Sequence, residues 1–268
     1  MKQIPNFFTL LNLLFGCIAI VFIMQTGETI VVMDDGGATQ VVLPERMAWG
    51  ALFIFAAAVV DFLDGFLARL LKASSGMGEQ LDSLSDMVSF GVAPGMILYQ
   101  LLRISYAQED YGLDVSIIAL LPAFIFTVAV AWRLAKFNIS TTQKYHFEGV
   151  PSPAAGLVVA SLPLILWYPN FDIGALLINK WLLYGVIVLL AYLMVSKLPL
   201  MGLKFKDYSL KNNSSKYLLV VISIIAALFL QWLAVPVVFV AYVVLSIFNK
   251  PAAAPVASNE RELTDITV

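Results

Sequence analysis

Residues 61–86 read DFLDGFLARLLKASSGMGEQLDSLSD. Four aspartates, Asp61, Asp64, Asp82 and Asp86, stand here beside or within long apolar runs. A carboxylate placed in a membrane segment is costly, so it faces a polar cavity and marks function. Asp61 and Asp64 are spaced i,i+3, and Asp82 and Asp86 i,i+4, so each pair shares one helical face. A short connection, Ala73 to Gln80, predicts that the two helices pack antiparallel and turn the pairs toward each other. Four like charges so close repel strongly unless protons or cations intervene. Oxygen-only ligation suits Mg²⁺ or Mn²⁺, and two such ions can clamp both sides of a phosphoryl displacement. Small residues around the carboxylates (Gly65, Ala68, Gly78) allow close approach of a helix or a ligand, and Arg69 is placed to meet a phosphate or to snorkel.

The rest of the 268-residue chain agrees with a bilayer setting. Charged residues make up 13% and hydrophobic ones 60%, against about 25% charged in soluble domains. Mean hydropathy is +0.88. With one cysteine, Cys17, and one histidine, His146, a disulfide framework and Cys- or His-based metal chemistry are excluded. Cys17 reads as a small buried hydrophobe and His146 as a loop residue. The net charge of −2 says little, because the charges are segregated rather than spread, and no nucleic-acid partner is expected.

At about 20 apolar residues per spanning helix, eight segments qualify: 5–24, 47–71, 81–104, 115–135, 153–169, 174–196, 217–232 and 234–249. The last two form either a hairpin or one kinked helix. The expected fold is therefore all-α, a polytopic transmembrane bundle with a six-helix core and about eight spans. Both termini are cytoplasmic, because that arrangement leaves only Arg46, Arg103 and Lys180 of the 16 Lys and Arg outside. The membrane domain covers 1–250, and 251–268 reads as a disordered cytoplasmic tail. The outer loop 25–46, with two β-branched runs around Asp-Asp-Gly-Gly, predicts a small hairpin. Trp49, Trp132, Trp167, Tyr168 and Trp181 read as interfacial anchors, and Pro94, Pro151, Pro153 and Pro163 as helix-shaping residues.

The run Asp-x2-Asp-Gly-x2-Ala-Arg-x8-Gly-x3-Asp-x3-Asp, carried by Asp61, Asp64, Gly65, Ala68, Arg69, Gly78, Asp82 and Asp86, resembles the signature of the CDP-alcohol phosphotransferase family. Four further stretches resemble its bacterial, membrane-embedded, serine-using branch: IPNFFTLLN (4–12), SFGVAPG (89–95), RLAKFN (133–138) and GVPSPAAG (149–156). The resemblance covers residues 3–165. Lys136 stands where many members have arginine, which weakens a bidentate reading there.

That resemblance implies transfer of a phosphatidyl group from CDP-diacylglycerol to L-serine in a bacterial inner membrane, with the active site facing the cytoplasm, two Mg²⁺ or Mn²⁺ ions and a homodimer. It implies metal ligation by Asp61, Asp64, Asp82 and Asp86, with Asp86 also the general base. Asn6, Thr9, Gly65, Ala68, Arg69 and Gly78 would meet CDP-diacylglycerol, and Arg133, Lys136 and Asn138 the serine. Asn6, Thr9 and Asn12, along one helix, either line the nucleotide cavity or hydrogen-bond between helices. Arg133 and Lys136 hold the acceptor carboxylate or anchor the helix end. Rival readings are another acceptor, glycerol 3-phosphate or an inositol phosphate, and a divalent-cation transporter.

Overall fold

The computed structural model describes residues 4–25, 27–34, 37–43, 46–71, 75–109, 114–139, 149–168, 171–198, 200–201 and 213–248. The expectations for His146 and for the 251–268 tail lie outside them.

Helix α1 (Ile4–Met24) leads into a hairpin of β1 (Glu28–Asp34) and β2 (Gly37–Leu43), antiparallel with Glu28 opposite Leu43 and Asp34 opposite Gly37. The hairpin is where the β-branched runs placed it, and Arg46 N–H closes its base onto the Gln25 carbonyl at 3.1 Å. Then come α2 (Met47–Leu70), α3 (Gly76–Asp86), a π-helical segment (Met87–Val92) and α4 (Ala93–Ala107). Short α5 (Ile117–Leu120) precedes α6 (Ala123–Ile139) and α7 (Ser152–Trp167). Short α8 (Gly174–Leu177) precedes α9 (Lys180–Val195), and α10 (Ser214–Leu230) meets α11 (Ala234–Phe248) through a 3₁₀ turn, Gln231–Leu233.

The protein is thus a helical integral membrane protein. Among the described residues, four helical runs are long and apolar enough to cross a bilayer: Pro5–Met24, Met47–Leu70, Gly76–Ala107 and Ser214–Phe248. Ser152–Trp167 and Lys180–Val195 are shorter apolar helices.

Several boundaries differ from the sequence expectation. The third segment starts at Gly76 rather than 81, because Ser75 caps it by accepting a 3.1 Å hydrogen bond from Gly78 N–H. Gly78 and Gln80 are therefore helical, not part of the connection. The 115–135 segment is broken at Leu121 and Pro122, since proline cannot donate to the helical ladder. It then runs on to Ile139, so the RLAKFN stretch is helical. The 174–196 segment restarts at Asn179, whose side chain caps the amides of Trp181 and Leu182. The last run breaks at Gln231, whose φ of 49° lies in the left-handed region, and α10 and α11 pack against each other.

The core lies between α4, α6, α7 and α9, where Ile97, Leu98, Phe126, Val159, Leu164 and Ile187 are fully buried. Hydrophobicity does not drive helix association within lipid, so close packing must. Gly16 on α1 shows how close: a Cβ there would sit 2.4 Å from Ser89 Oγ. Gly149, with φ +72°, starts the turn into α7 and would press a Cβ to 2.6 Å from the Met194 carbonyl. At the opposite end, Tyr184 donates to the Ala119 carbonyl at 2.6 Å and its oxygen lies 2.9 Å from that of Tyr106, while Lys180 pairs with Glu109. Trp49 packs edge-on against Trp167 at 6.0 Å. Cys17 is exposed, not buried as expected. Its position turns it to the outer face of α1, which lipid would cover.

The packing of α2 and α3 also differs from expectation. They scarcely touch along their backbones, while α1 lies against both. Carboxylates of the two helices nevertheless meet.

Candidate functional site

The last turns of α2 sort their side chains by chemistry. Phe62 and Phe66 point outward, 67% and 49% exposed, while Asp64 is 6% exposed. On α3, Asp82 comes one turn before Asp86, which is 8% exposed. Asp61, Asp64 and Asp82 each offer a carboxylate oxygen within 4.8 Å of the other two. Asp86 lies outside that trio, deeper along α3. At such separations each like-charged pair costs about 3 kcal/mol at an effective dielectric of 20. Three pairs rival the whole stability of a typical domain, so the cluster requires a compensating cation or protons. A six-coordinate Mg²⁺ holds oxygens at about 2.1 Å, hence about 3–4.2 Å apart. The trio's 4.8 Å limit is wider than the longest of those separations by about 0.6 Å, so a bound ion would draw the oxygens slightly inward, and the all-oxygen donor set fits Mg²⁺ or Mn²⁺.

Helix α1 supplies the polar partners. Thr9 Oγ1 donates to Asp64 Oδ2 at 2.7 Å, and Asn12 Nδ2 donates to Asp86 Oδ1 at 3.3 Å. In return Ser85 Oγ donates to the Thr9 carbonyl and Ser89 Oγ to the Asn12 carbonyl, each at 3.0 Å. The Asn6 side-chain oxygen approaches Gly78, 3.1 Å from where a Cβ would lie. Thr9 and Asn12 therefore do hydrogen-bond between helices, and their partners are the carboxylates themselves. The π-helical segment begins directly after Asp86, in keeping with the frequency of such widened turns at functional sites.

A second group closes the site from α6 and α7. Arg133 Nη1 donates to Ser152 Oγ at 3.1 Å, and its buried Nε has no partner. Asp86 and the Tyr242 hydroxyl are its electrostatic neighbours. Asn138 Nδ2 donates to Ser83 Oγ at 2.8 Å, tying the end of α6 to the turn between Asp82 and Asp86. Lys136 lies part-buried one turn before the helix end.

The residues expected to meet the nucleotide lipid are placed less uniformly. A Cβ added to Gly65 would find nothing within 4 Å, so space remains above the first aspartate pair. Ala68 is part-buried and Arg69 exposed. Ser83, Ser85, Ser89, Ser152 and Tyr242 were not picked out from sequence as partners of the site. The serines differ from ordinary membrane serines only in their spacing from the aspartates, and Tyr242 carries no local signal.

Comparison with known proteins adds identity. A family model described as CDP-alcohol phosphatidyltransferase matches residues 2–196. A Helicobacter pylori (strain J99) protein named CDP-diacylglycerol–serine O-phosphatidyltransferase is 38% identical over 160 residues, 59% of this chain and 62% of that protein. A Bacillus subtilis (strain 168) protein of the same name is 37% identical over 134 residues, 48% of this chain and 71% of its own length. One from Methanocaldococcus jannaschii, again so named, is 34% identical over 144 residues, 53% of this chain and 59% of its own. The chain thus spans about three fifths of the Helicobacter and Methanocaldococcus relatives.

Proposed function

From the premise that this chain belongs to the CDP-alcohol phosphatidyltransferase family, we propose that it transfers the phosphatidyl group of CDP-diacylglycerol to L-serine, yielding phosphatidylserine and CMP. The carrying observation is the trio Asp61, Asp64 and Asp82 within 4.8 Å, with Asp86 beside it and bound by Asn12. Asp61, Asp64 and Asp82 would hold a divalent cation, Mg²⁺ or Mn²⁺, with Asp86 bordering a second. When bound, such ions supply charge neutralisation for the pyrophosphate and the departing CMP.

The chain's own groups do the rest. Asp86 takes the proton of the serine hydroxyl. The serine oxygen bonds the lipid-side phosphorus, and the bond from that phosphorus to the CMP oxygen breaks. Gly65 leaves room for the pyrophosphate, beside Ala68 and Arg69. Asn6, Thr9 and Gly78 border the nucleotide, while Arg133, Lys136 and Asn138 border the serine.

The same reading places the protein in a bacterial inner membrane, with both termini and the site on the cytoplasmic side. Eight spans are proposed within a 1–250 membrane domain, the break at Gln231 supporting two crossings for α10 and α11. Residues 251–268 are proposed to form a cytoplasmic tail. A homodimer follows from the family resemblance.

A phosphate-bearing acceptor would engage the same cations, so the acceptor is the quantity to test. Purified protein in lipid with CDP-diacylglycerol and Mg²⁺ should release CMP with L-serine at least about tenfold faster than with glycerol 3-phosphate or inositol phosphate. Preference for a phosphate-bearing acceptor would overturn serine. Metal flux without CMP release would replace the enzyme by a transporter.

A further inference from the structure

Among the described residues, three buried side-chain polar atoms have no hydrogen-bond partner: Asn12 Oδ1, Gln100 Oε1 and Arg133 Nε. Buried polar atoms are nearly always satisfied, so each orphan calls for an explanation. Gln100 is bound through its Nε2 to the Ile23 carbonyl, at the other end of α1, away from the aspartates. Of the remaining two, Asn12 contacts Asp86 and Arg133 lies within electrostatic range of it. Asn12 is fully buried and gives its Nδ2 to Asp86 Oδ1. Only the amide's NH₂ can face a carboxylate, so its carbonyl is directed elsewhere. Arg133 has Asp86 as its acidic neighbour.

Neither residue can easily turn away. The Asn12 backbone carbonyl is fixed by Ser89, and Gly16 one turn later presses on the same serine. Arg133 is fixed by Ser152, itself fully buried. An unused acceptor thus lies on the residue bound to Asp86, and an unused cationic donor lies within electrostatic range of it, both preorganised. A phosphate-bearing alcohol offers phosphate oxygens and further hydroxyls but no ammonium, so it can give the asparagine carbonyl only a neutral donor. An amino-acid alcohol such as serine offers an ammonium and a carboxylate together on the carbon next to its hydroxyl carbon.

Resting on the phosphatidyl-transfer reading above, we infer that Asn12 is a specificity-determining residue that accepts a hydrogen bond from the ammonium of a zwitterionic acceptor while Arg133 binds its carboxylate. The two hold the acceptor hydroxyl against Asp86. Asn12 thereby has two tasks, aiming Asp86 through its NH₂ and reading the acceptor through its carbonyl.

The test compares three acceptors on the purified full chain with CDP-diacylglycerol and Mg²⁺: L-serine, 3-hydroxypropionate, which lacks the ammonium, and ethanolamine, which lacks the carboxylate. Wild type should favour serine over each analogue by about tenfold or more in kcat/KM, the scale set by one unpaired charged group. In Asn12→Ala the preference over 3-hydroxypropionate should shrink about tenfold, while the preference over ethanolamine persists. Arg133→Ala should show the converse. An equal loss on all three acceptors in Asn12→Ala would make Asn12 an aiming residue for Asp86 only and overturn the inference. Should that variant fail to insert, wild type decides, since 3-hydroxypropionate used as well as serine refutes ammonium reading outright. Absence of any serine-dependent CMP release from wild type would instead defeat the enzymatic reading itself.

Discussion

Thr9 on α1 and Asp64 on α2 are joined by a 2.7 Å hydrogen bond across 55 residues of chain. The donor is 3% exposed and the acceptor 6%, so the bond is shielded from competing water. A hydrogen bond to a ligating carboxylate fixes its orientation, and loss of such support lowers metal affinity by about 10–100-fold in characterised sites. Thr9→Val should therefore raise the Mg²⁺ concentration needed for half-maximal CMP release by about tenfold or more. Thr9→Ser, which keeps the hydroxyl, should restore most of it. A metal titration of turnover reads both.

Neutralising any member of the carboxylate set should stop the reaction without unfolding the helices. Asp61→Asn, Asp64→Asn, Asp82→Asn and Asp86→Asn are each expected to cut CMP release by about a thousandfold or more, with normal membrane insertion on extraction and gel filtration. Chelation should silence the wild type, and re-added Mg²⁺ or Mn²⁺ should restore it. Near-normal turnover in Asp86→Asn would remove that residue from the base role.

Two glycines should respond to the same substitution in opposite ways. Gly16→Ala drives a Cβ to 2.4 Å from Ser89 Oγ, and overpacking of this kind costs about 1–3 kcal/mol. Its melting temperature should fall. Gly65→Ala meets nothing within 4 Å and improves helix propensity by about 1 kcal/mol, so it should melt no lower than wild type. Its kcat/KM for CDP-diacylglycerol should nevertheless drop about tenfold or more, because the methyl enters space assigned to the pyrophosphate. Thermal melts and initial rates on the same samples separate the two.

The tyrosine clasp far from the aspartates gives a control of the opposite kind. Tyr184→Phe removes the donor to the Ala119 carbonyl and the partner of Tyr106. A loss of about 1 kcal/mol of stability is expected, with KM for serine and for CDP-diacylglycerol unchanged. A shifted KM would mean that this end communicates with the site.

The carboxylates were legible in the sequence because their positions follow helical arithmetic: i,i+3 on α2 and i,i+4 on α3 put each pair on one face, and burial cost announced them. The hairpin was legible from its β-branched runs and the glycines between them. The packing of α1 against both α2 and α3, which themselves scarcely touch, was not legible, since a short connection says only that two helices are neighbours in sequence. Nor was the use of Thr9 and Asn12 as carboxylate donors, because a polar residue in a membrane helix does not name its partner. The break at Pro122 was readable from proline chemistry but was absorbed into an apolar window. The restart at Asn179 was hidden likewise, since hydropathy averages over the cap that divides it. Cys17 was misjudged because apolar neighbours in lipid do not distinguish inward from outward faces.

Because α1 packs against both acidic helices, its girth acts as a gauge for the spacing of the carboxylate cluster. The contact between Gly16 and Ser89 sets how near α3 can come, and Thr9 sets the reach to α2. A bulkier first helix would spread the carboxylates and shift ion preference toward a larger radius, leaving every ligand side chain in place. A helix that bears none of the four aspartates would thus tune the size of any ion they hold.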